Sequence, residues 1–299
     1  MAAALTAAHA VAGAQQYPAG ALYVVATPIG NLADISLRAL HVLSLVDRVA
    51  CEDTRHSQSL LRNYGIASRQ PLLALHEHNE AEAAAVVIDA LRQGQRVAYI
   101  SDAGTPAISD PGARLVQAVC NAGLPLMPIP GASSVTTALS VAGTHCPDGF
   151  VFAGFLPARA AERESALQAL ALESRAVVLL EAPHRMTATA GALASVFGER
   201  TLTVARELTK QFEQIAQMPA AQFPQWLADD PQRMRGEFVL VLHGAPPIAD
   251  PAEAEGLRVL DLLLAELPLK SAVQLAARIS GASRNKLYEA ALQRQSERS

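Results

Sequence analysis

The sequence predicts an α/β protein: two α/β domains followed by a small all-helical extension. Three observations carry that expectation. Short apolar, β-rich runs alternate with helical stretches from residue 21 to residue 141, the pattern of a mostly parallel sheet. The alternation breaks over 143–149, where THCPDG has turn chemistry, and a second set of strands follows. After a Pro/Ala-rich stretch, HGAPPIADPAEA, the remaining segments read as helices alone. The expected division is a flexible tail over 1–20 and a first domain with a parallel sheet over 21–143. A mixed α+β domain over 144–243, a linker over 244–254 and a helix-turn-helix-like extension over 255–299 complete it.

Each element has a local reason. A strand over 21–26 runs into TPIGNLAD, and Ser36 is placed to cap a helix over 36–45. Pro28 interrupts what would have to be G-x-G-x-x-G, so a pyrophosphate-binding dehydrogenase turn is disfavoured. A second strand, 47–51, ends in Glu52-Asp53-Thr54-Arg55-His56. Two carboxylates at a strand-to-helix junction read either as a stabilised helix start or as part of a site at the strand's carboxyl end. The strand over 72–75 leads to His76-Glu77-His78-Asn79. Alternation sets His76 and His78 on one side, yet no third ligand stands at suitable spacing, so no metal site is expected. A polar loop lining a cleft is the better reading. A helix over 80–92 and a strand over 96–100 follow.

The stretch from Val97 to Gly131 is the centre of the first domain. The strand ends in Ser101-Asp102-Ala103-Gly104-Thr105-Pro106, small residues that expose backbone groups to a ligand. A helix is expected over 110–121, with Asp110 as N-cap and Pro111 at the first helical position. A further apolar run over 124–129 ends in Pro130-Gly131-Ala132-Ser133-Ser134. In a parallel βαβ unit, ligands collect at the strands' carboxyl ends, where both of these loops lie.

In the second half, strands are expected over 150–155, 176–181, 201–206, 212–217 and 237–242, with helices over 159–172, 183–197 and 219–228. The short span between the third and fourth strands marks an antiparallel pair. Polar strand ends fall at Glu181-Ala182-Pro183-His184-Arg185 and Arg206-Glu207-Leu208-Thr209-Lys210. Beyond the linker, a helix over 257–267 precedes two short helices about Gly281, with Ser283 as cap and Arg284 and Lys286 early in the second. This resembles a helix-turn-helix, although a packed αα-hairpin has the same pattern.

Composition excludes several classes. The 299 residues are 51% hydrophobic, enough for a large core and unlike a disordered chain. No apolar run reaches the roughly 18 residues of a membrane span. Cys51, Cys120 and Cys146 form no C-x-x-C pair, so neither a disulfide framework nor a zinc knuckle is expected, and a cytoplasmic location with reduced thiols is. The first twenty residues lack Lys and Arg, hence the positive n-region of a secretory signal. The net charge of −4 does not itself suggest nucleic acid, but residues 270–299 carry six basic residues against two acidic ones.

The motifs YVVATPIGNLADIS, CEDTRHS, HEHNE, ISDAGTPAISDPG, PIPGASS, GFLP, LLEAPHR and ARELTK stand in this order over residues 22–242. Together they closely resemble the bacterial ribosomal RNA small-subunit methyltransferase I group of the tetrapyrrole-methylase (class III) fold. The tail resembles the helix-turn-helix extension of many members. The resemblance implies S-adenosylmethionine in a cleft between the two domains. Its contacts would fall at Pro28, at Ser101, Asp102, Ala103, Gly104 and Thr105, at Ser133 and Ser134, and at Leu180, Glu181 and Ala182. It implies methylation of the ribose 2′-hydroxyl of a cytidine in the decoding region of 16S ribosomal RNA, within the small subunit or an assembly intermediate, by a cytosolic homodimer. The first loop, TPIG, and the second, SDAG, depart from the glycine-rich and Gly-Asp-Pro loops common in the tetrapyrrole enzymes, which argues against a corrin substrate.

A ribose hydroxyl is a poor nucleophile while protonated. Glu52, Asp53, Glu181 and Glu207 are candidate bases, and Arg185, Arg206 and Lys210 candidate cations for phosphate or for the hydroxyl; for each, a structural ion pair is the competing reading. Arg55 and His76, together with Arg284 and Lys286, are candidates for guiding RNA. A tetrapyrrole C-methyltransferase and a non-catalytic RNA-binding protein are the alternatives. Deleting residues 255–299 is expected to weaken RNA binding and flatten its salt dependence while sparing cofactor affinity. Titrations at several salt concentrations check this, and unchanged RNA affinity would refute it.

Overall fold

A computed structural model describes residues 2–66, 71–76, 79–109, 111–144, 146–245 and 251–297. The chain divides into two compact units, 1–245 and 246–299. In the first, α1 (Ala2–Ala12), β1 (Leu22–Val25), α2 (Leu37–Leu45), β2 (Arg48–Cys51), α3 (Thr54–Asn63), β3 (Leu72–Ala74), α4 (Glu80–Arg92), β4 (Val97–Ile100), α5 (Ala113–Asn121), β5 (Leu126–Ile129) and α6 (Ser134–Val141) make the first domain. Then β6 (Phe150–Phe155), α7 (Ala160–Ala169), β7 (Ala176–Glu181), α8 (Met186–Phe197), β8 (Thr201–Arg206), β9 (Gln214–Pro219), α9 (Phe223–Ala228) and β10 (Phe238–Leu242) make the second. The other unit holds α10 (Pro251–Leu264), α11 (Leu269–Ser280) and α12 (Arg284–Glu297).

The first sheet has the order β3-β2-β4-β1-β5, and every pairing in it is parallel. Side chains alternate across it. Tyr23, Val25, Ala98 and Ile100 enter one apolar cluster, and Leu22, Val97 and Tyr99 the other. The second sheet has the order β6-β7-β10-β8-β9, with β6 parallel to β7 and the other three pairings antiparallel. The mixed character expected for this domain is therefore present. One cluster joins the two domains: Ile29, Val135 and Ala138 from the first are buried with Val178, Ala205, Val239 and Val241 from the second. Each Val or Ile side chain in it contributes about 1.5–3 kcal/mol when fully buried. The cleft above the cluster thus has a firm floor.

Three expectations are corrected. The first concerns the tail: residues 2–12 form a helix whose Ala8 and Ala12 are buried. Its weakly amphipathic, Ala-rich sequence has high helix propensity, and ring contacts fasten it, with His9 and Tyr17 lying 5.5 and 4.9 Å from the His41 ring. The second is the start of α5, which lies at Ala113 rather than 110; Asp110 itself falls outside the described residues. Its N-cap is Gly112 at φ 115°, and a Cβ there would strike the Tyr99 ring. The end is capped from a distance, because the buried Glu80 carboxylate accepts from the Gly112 and Arg114 amides, each at 2.9 Å. Third, α10 begins at Pro251, inside the span expected to be linker; residues 246–250 of that span lie outside the described residues.

In the helical unit, α11 ends at Gly281 in the left-handed conformation, φ 77°, as the turn expected there requires. Val259, Leu260, Ala272, Val273, Ala276, Leu287 and Ala291 form its own buried core. Arg284 and Lys286 are exposed on α12.

Burial, then the neighbouring His9, holds the His41 imidazole below its ordinary value, and His41 Nδ1 has no hydrogen-bond partner among the described residues. Above pH of about 6.5 both folded and unfolded chains carry this ring neutral. Below it the unfolded chain takes up a proton that the folded chain refuses, so stability falls with pH until the folded-state value is passed. Unfolding curves between pH 8 and 5 are expected to show this loss, on the order of the window set by the imidazole pKa, and His41→Phe should reduce the slope. An unchanged slope in the variant would contradict it.

Candidate functional site

The site is built where strands end. From β1, Thr27 exchanges two backbone hydrogen bonds with Gly104, at 2.9 and 3.1 Å, while its hydroxyl donates to the Ser101 carbonyl at 3.3 Å. The Thr105 hydroxyl donates to the Ala132 carbonyl at 3.1 Å. The turns after β1, β4 and β5 are thereby tied into one surface. Both backbone groups of Gly104 are used in this way, which corrects the expectation that they lie open to a ligand.

Two adjoining pockets open on that surface and share Ile29, Ala103 and Glu237. The larger, about 300 Å³, is lined by Pro28, Gly30, His56, Ser59, Asn63, Asp102 and Lys210 among others. The smaller, about 110 Å³, is lined by Gly104, Thr105, Ile108, Ser109, Ser133, Ser134, Val135 and Leu180. Of the expected cofactor contacts, Pro28, Asp102 and Ala103 line the first, and Ala103, Gly104, Thr105, Ser133, Ser134 and Leu180 the second. Ser101, Glu181 and Ala182 line neither. The buried Ser101 hydroxyl instead bonds the Ala103 carbonyl at 3.2 Å, and Ala182 donates its amide to the Glu181 carboxylate at 2.9 Å.

Among the expected bases, Asp53, Glu181 and Glu207 are each held by hydrogen bonds. Asp53 is the N-cap of α3, accepting from the Arg55 amide at 2.7 Å and the His56 amide at 3.4 Å. Those bonds, led by the Arg55 amide, hold its carboxyl below the usual carboxylate range. Glu181 is buried and spent on the Thr189 hydroxyl at 2.5 Å and the Arg185 guanidinium at 3.2 Å. Glu52 is half-buried and lines neither pocket. Glu207 accepts from Lys210 Nζ at 2.8 Å and from the Glu237 amide at 2.9 Å. Burial alone would raise Glu207, but the Lys210 bond, the Glu237 amide and the neighbouring cations outweigh it and lower its pKa.

The expected cations divide. Arg185 is tied to the Leu156 and Pro157 carbonyls, and the buried Arg206 to the Arg235 and Gln232 carbonyls at 2.7 and 2.6 Å. Both therefore clamp neighbouring backbone, the structural role that competes with the expected contact to RNA. Arg55 is 92% exposed beside the cleft, and His76 is exposed, while His78 lies outside the described residues. Lys210 lines the larger pocket. Burial works against its charge, but the bond to Glu207 and the carboxylate of Glu237, 3.2 Å away, raise its pKa overall.

Residues that the sequence reading did not single out complete the cleft. His56, Ser59, Leu60 and Asn63 face the larger pocket from α3, and their i, i+3, i+4, i+7 spacing was the available signal. Glu237 sits at the start of β10, opposite the ends of β7 and β8. Thr209 lies at φ 63°, costly for a β-branched residue, and its hydroxyl accepts the Asn31 amide at 3.1 Å across the domain boundary.

Comparison with known proteins gives this geometry a family. The family described as Tetrapyrrole (Corrin/Porphyrin) Methylases matches residues 21–224, and the RsmI C-terminal HTH domain matches residues 250–295. A protein of Pseudomonas aeruginosa named ribosomal RNA small subunit methyltransferase I is 52% identical over 93% of this chain and 98% of its own. Its namesake from Escherichia coli O157:H7 is 46% identical over 92% and 96%. The fold is shared with uroporphyrin-III C-methyltransferase from Thermus thermophilus, solved with S-adenosylhomocysteine, at a TM-score of 0.52 and 16% identity over 74% of this chain and 96% of that one. The chain belongs to the tetrapyrrole methylase family and, within it, to the ribosomal RNA small subunit methyltransferase I group.

Gly30 is where the two domains' loops cross. A Cβ there would strike the Lys210 side chain and lie 2.9 Å from Thr209 Oγ1 and 3.0 Å from the Leu208 carbonyl oxygen. Gly30→Ala is expected to cost about 1–3 kcal/mol by overpacking and to displace Lys210 from the larger pocket. Thermal unfolding with ligand titration checks it; unaltered melting and binding would contradict the crossing.

Proposed function

We propose that the chain transfers a methyl group from S-adenosylmethionine to the ribose 2′-hydroxyl of a cytidine in the decoding region of 16S ribosomal RNA. The observation that carries this reading is the pair of adjoining pockets at the strand ends. At about 110 Å³ the smaller falls below the roughly 300–1,000 Å³ usual for a ligand site, and it continues into the larger. The small-subunit ribosomal RNA methyltransferase names of relatives 46–52% identical over most of both chains support ribosomal RNA of the small subunit as the methyl acceptor.

The residues present fit the cofactor. Ile29, Ile108, Val135 and Leu180 supply apolar walls for a purine, and Ser109, Ser133 and Ser134 supply hydroxyls for polar ends. Ser133 does not close its side chain onto the first turn of α6, which leaves that turn's dipole to favour a carboxylate. When bound, S-adenosylmethionine supplies a methyl group already activated by its sulfonium charge. The protein's main task is then to hold the acceptor oxygen in line, an effect worth about 7–11 kcal/mol when geometry is right. Lys210, held protonated beside the larger pocket, is suited to a phosphate oxygen or to negative charge growing on the hydroxyl.

The exposed Arg55, with His76, extends this surface for RNA, and Arg284 and Lys286 on α12 provide a second basic element. The catalyst is proposed to work in the cytoplasm as a homodimer, on the small subunit or an assembly intermediate. No helix among the described residues is long and apolar enough to cross a membrane.

Incubating small subunits from cells lacking the modification with labelled S-adenosylmethionine is expected to yield 2′-O-methylcytidine on nucleoside analysis. Leu180→Trp should abolish cofactor binding and labelling together by filling the smaller pocket. Label on a base, or none with wild-type protein, would overturn the reading.

A further inference from the structure

Methyl transfer to a hydroxyl releases a proton, and the structural roles of Asp53, Glu181 and Glu207 leave that proton without an acceptor among them. Four titratable side chains line the larger pocket: His56, Asp102, Lys210 and Glu237. Lys210 is held protonated, and Asp102 accepts the Asp53 amide at 3.3 Å. Among the described residues lining the smaller pocket, Glu237 is the titratable one. It is therefore the group of this set that borders both, at the boundary where a donor in one pocket meets an acceptor in the other.

Its setting suits a base. The backbone is clamped, since the Glu237 amide donates to Glu207 Oε1 at 2.9 Å and its carbonyl accepts the Glu207 amide at 2.9 Å. The side chain is 75% exposed to the cleft and touches Lys210 Nζ with one oxygen, Oε2, at 3.2 Å. Lys210 has its shorter bond to Glu207, at 2.8 Å, a contact that does not involve the Glu237 side chain.

We propose that Glu237 is the general base of the reaction, a role that rests on the methyl-transfer reading above. The 2′-oxygen forms a bond to the methyl carbon with a lone pair as the carbon–sulfur bond breaks. That bond's electron pair stays on sulfur, which becomes a neutral thioether. The hydroxyl proton passes to the Glu237 carboxylate and from there to water, so charge and atoms balance without a further reactant. Lys210, bridging Glu207 and Glu237, steadies the carboxylate and offsets negative charge on the oxygen.

The test uses full-length wild type, Glu237→Gln, Glu237→Asp and His56→Gln with small subunits lacking the modification. For each protein it measures kcat/KM against pH, S-adenosylmethionine affinity by calorimetry, subunit affinity and melting temperature. Glu237→Gln should lower methyl transfer by about 10²–10⁴-fold and remove the acidic limb of the pH profile, with both affinities and melting unchanged. Glu237→Asp should restore part of the rate and the limb. Near wild-type transfer by Glu237→Gln, a loss of cofactor affinity that accounts for its lost rate, or disappearance of the acidic limb in His56→Gln instead would overturn the assignment. A wild-type protein that binds cofactor but labels no subunit would overturn the underlying reading and this assignment with it, a failure visible before any variant is measured.

Discussion

Everything in the cleft depends on the apolar contact between the two domains. Ile29, Val135 and Ala138 are packed against Val178, Ala205, Val239 and Val241, so the face of one sheet forms the floor under the loops of the other. A few aliphatic side chains at about 1.5–3 kcal/mol each outweigh the Asn31–Thr209 hydrogen bond, whose net worth is about 0.5–1.5 kcal/mol. The apolar cluster holds the domains together, and the hydrogen bond sets how their loops cross. Gly30 makes the crossing possible because it has no side chain to meet Lys210.

From that contact the chemistry follows. A parallel sheet presents several loops at one end, and here Thr27, Gly104 and Thr105 tie three of them into one surface. The second domain adds Lys210, Leu180 and Glu237 from the other side. Glu207 and Thr209, two of the three non-glycine residues at positive φ among the described residues, link Lys210, Glu237 and Asn31. Side chains suited to electrostatic work are therefore set on an apolar floor.

Strands and their ends were legible because short apolar runs stop at polar or glycine-rich turns, as at Val97–Ile100 before Ser101 and Ala176–Glu181 before Ala182. The start of α5 was not. Asp110-Pro111 has the local chemistry of a helix start, but the Tyr99 ring beside Gly112 and the Glu80 cap come from other elements. The carboxylates of the site divided for the same reason. Asp53 and Glu181 stand in conspicuous motifs, yet their partners, the α3 amides and Thr189, absorb them. Glu237 is a lone acidic residue before an apolar strand. It reaches the cleft because β10 runs antiparallel to β7 and β8 and so begins where they end, a fact of topology that no local pattern records.

Loops of both domains are proposed to form a single seat for S-adenosylmethionine. Hydrogen exchange of the full-length protein with and without this cofactor tests it most directly. Slowed exchange is expected at amides near Gly104, Thr105, Ser134 and Val135 in the first domain together with Leu180 in the second. Protection confined to one domain, or found only away from these turns, would contradict it.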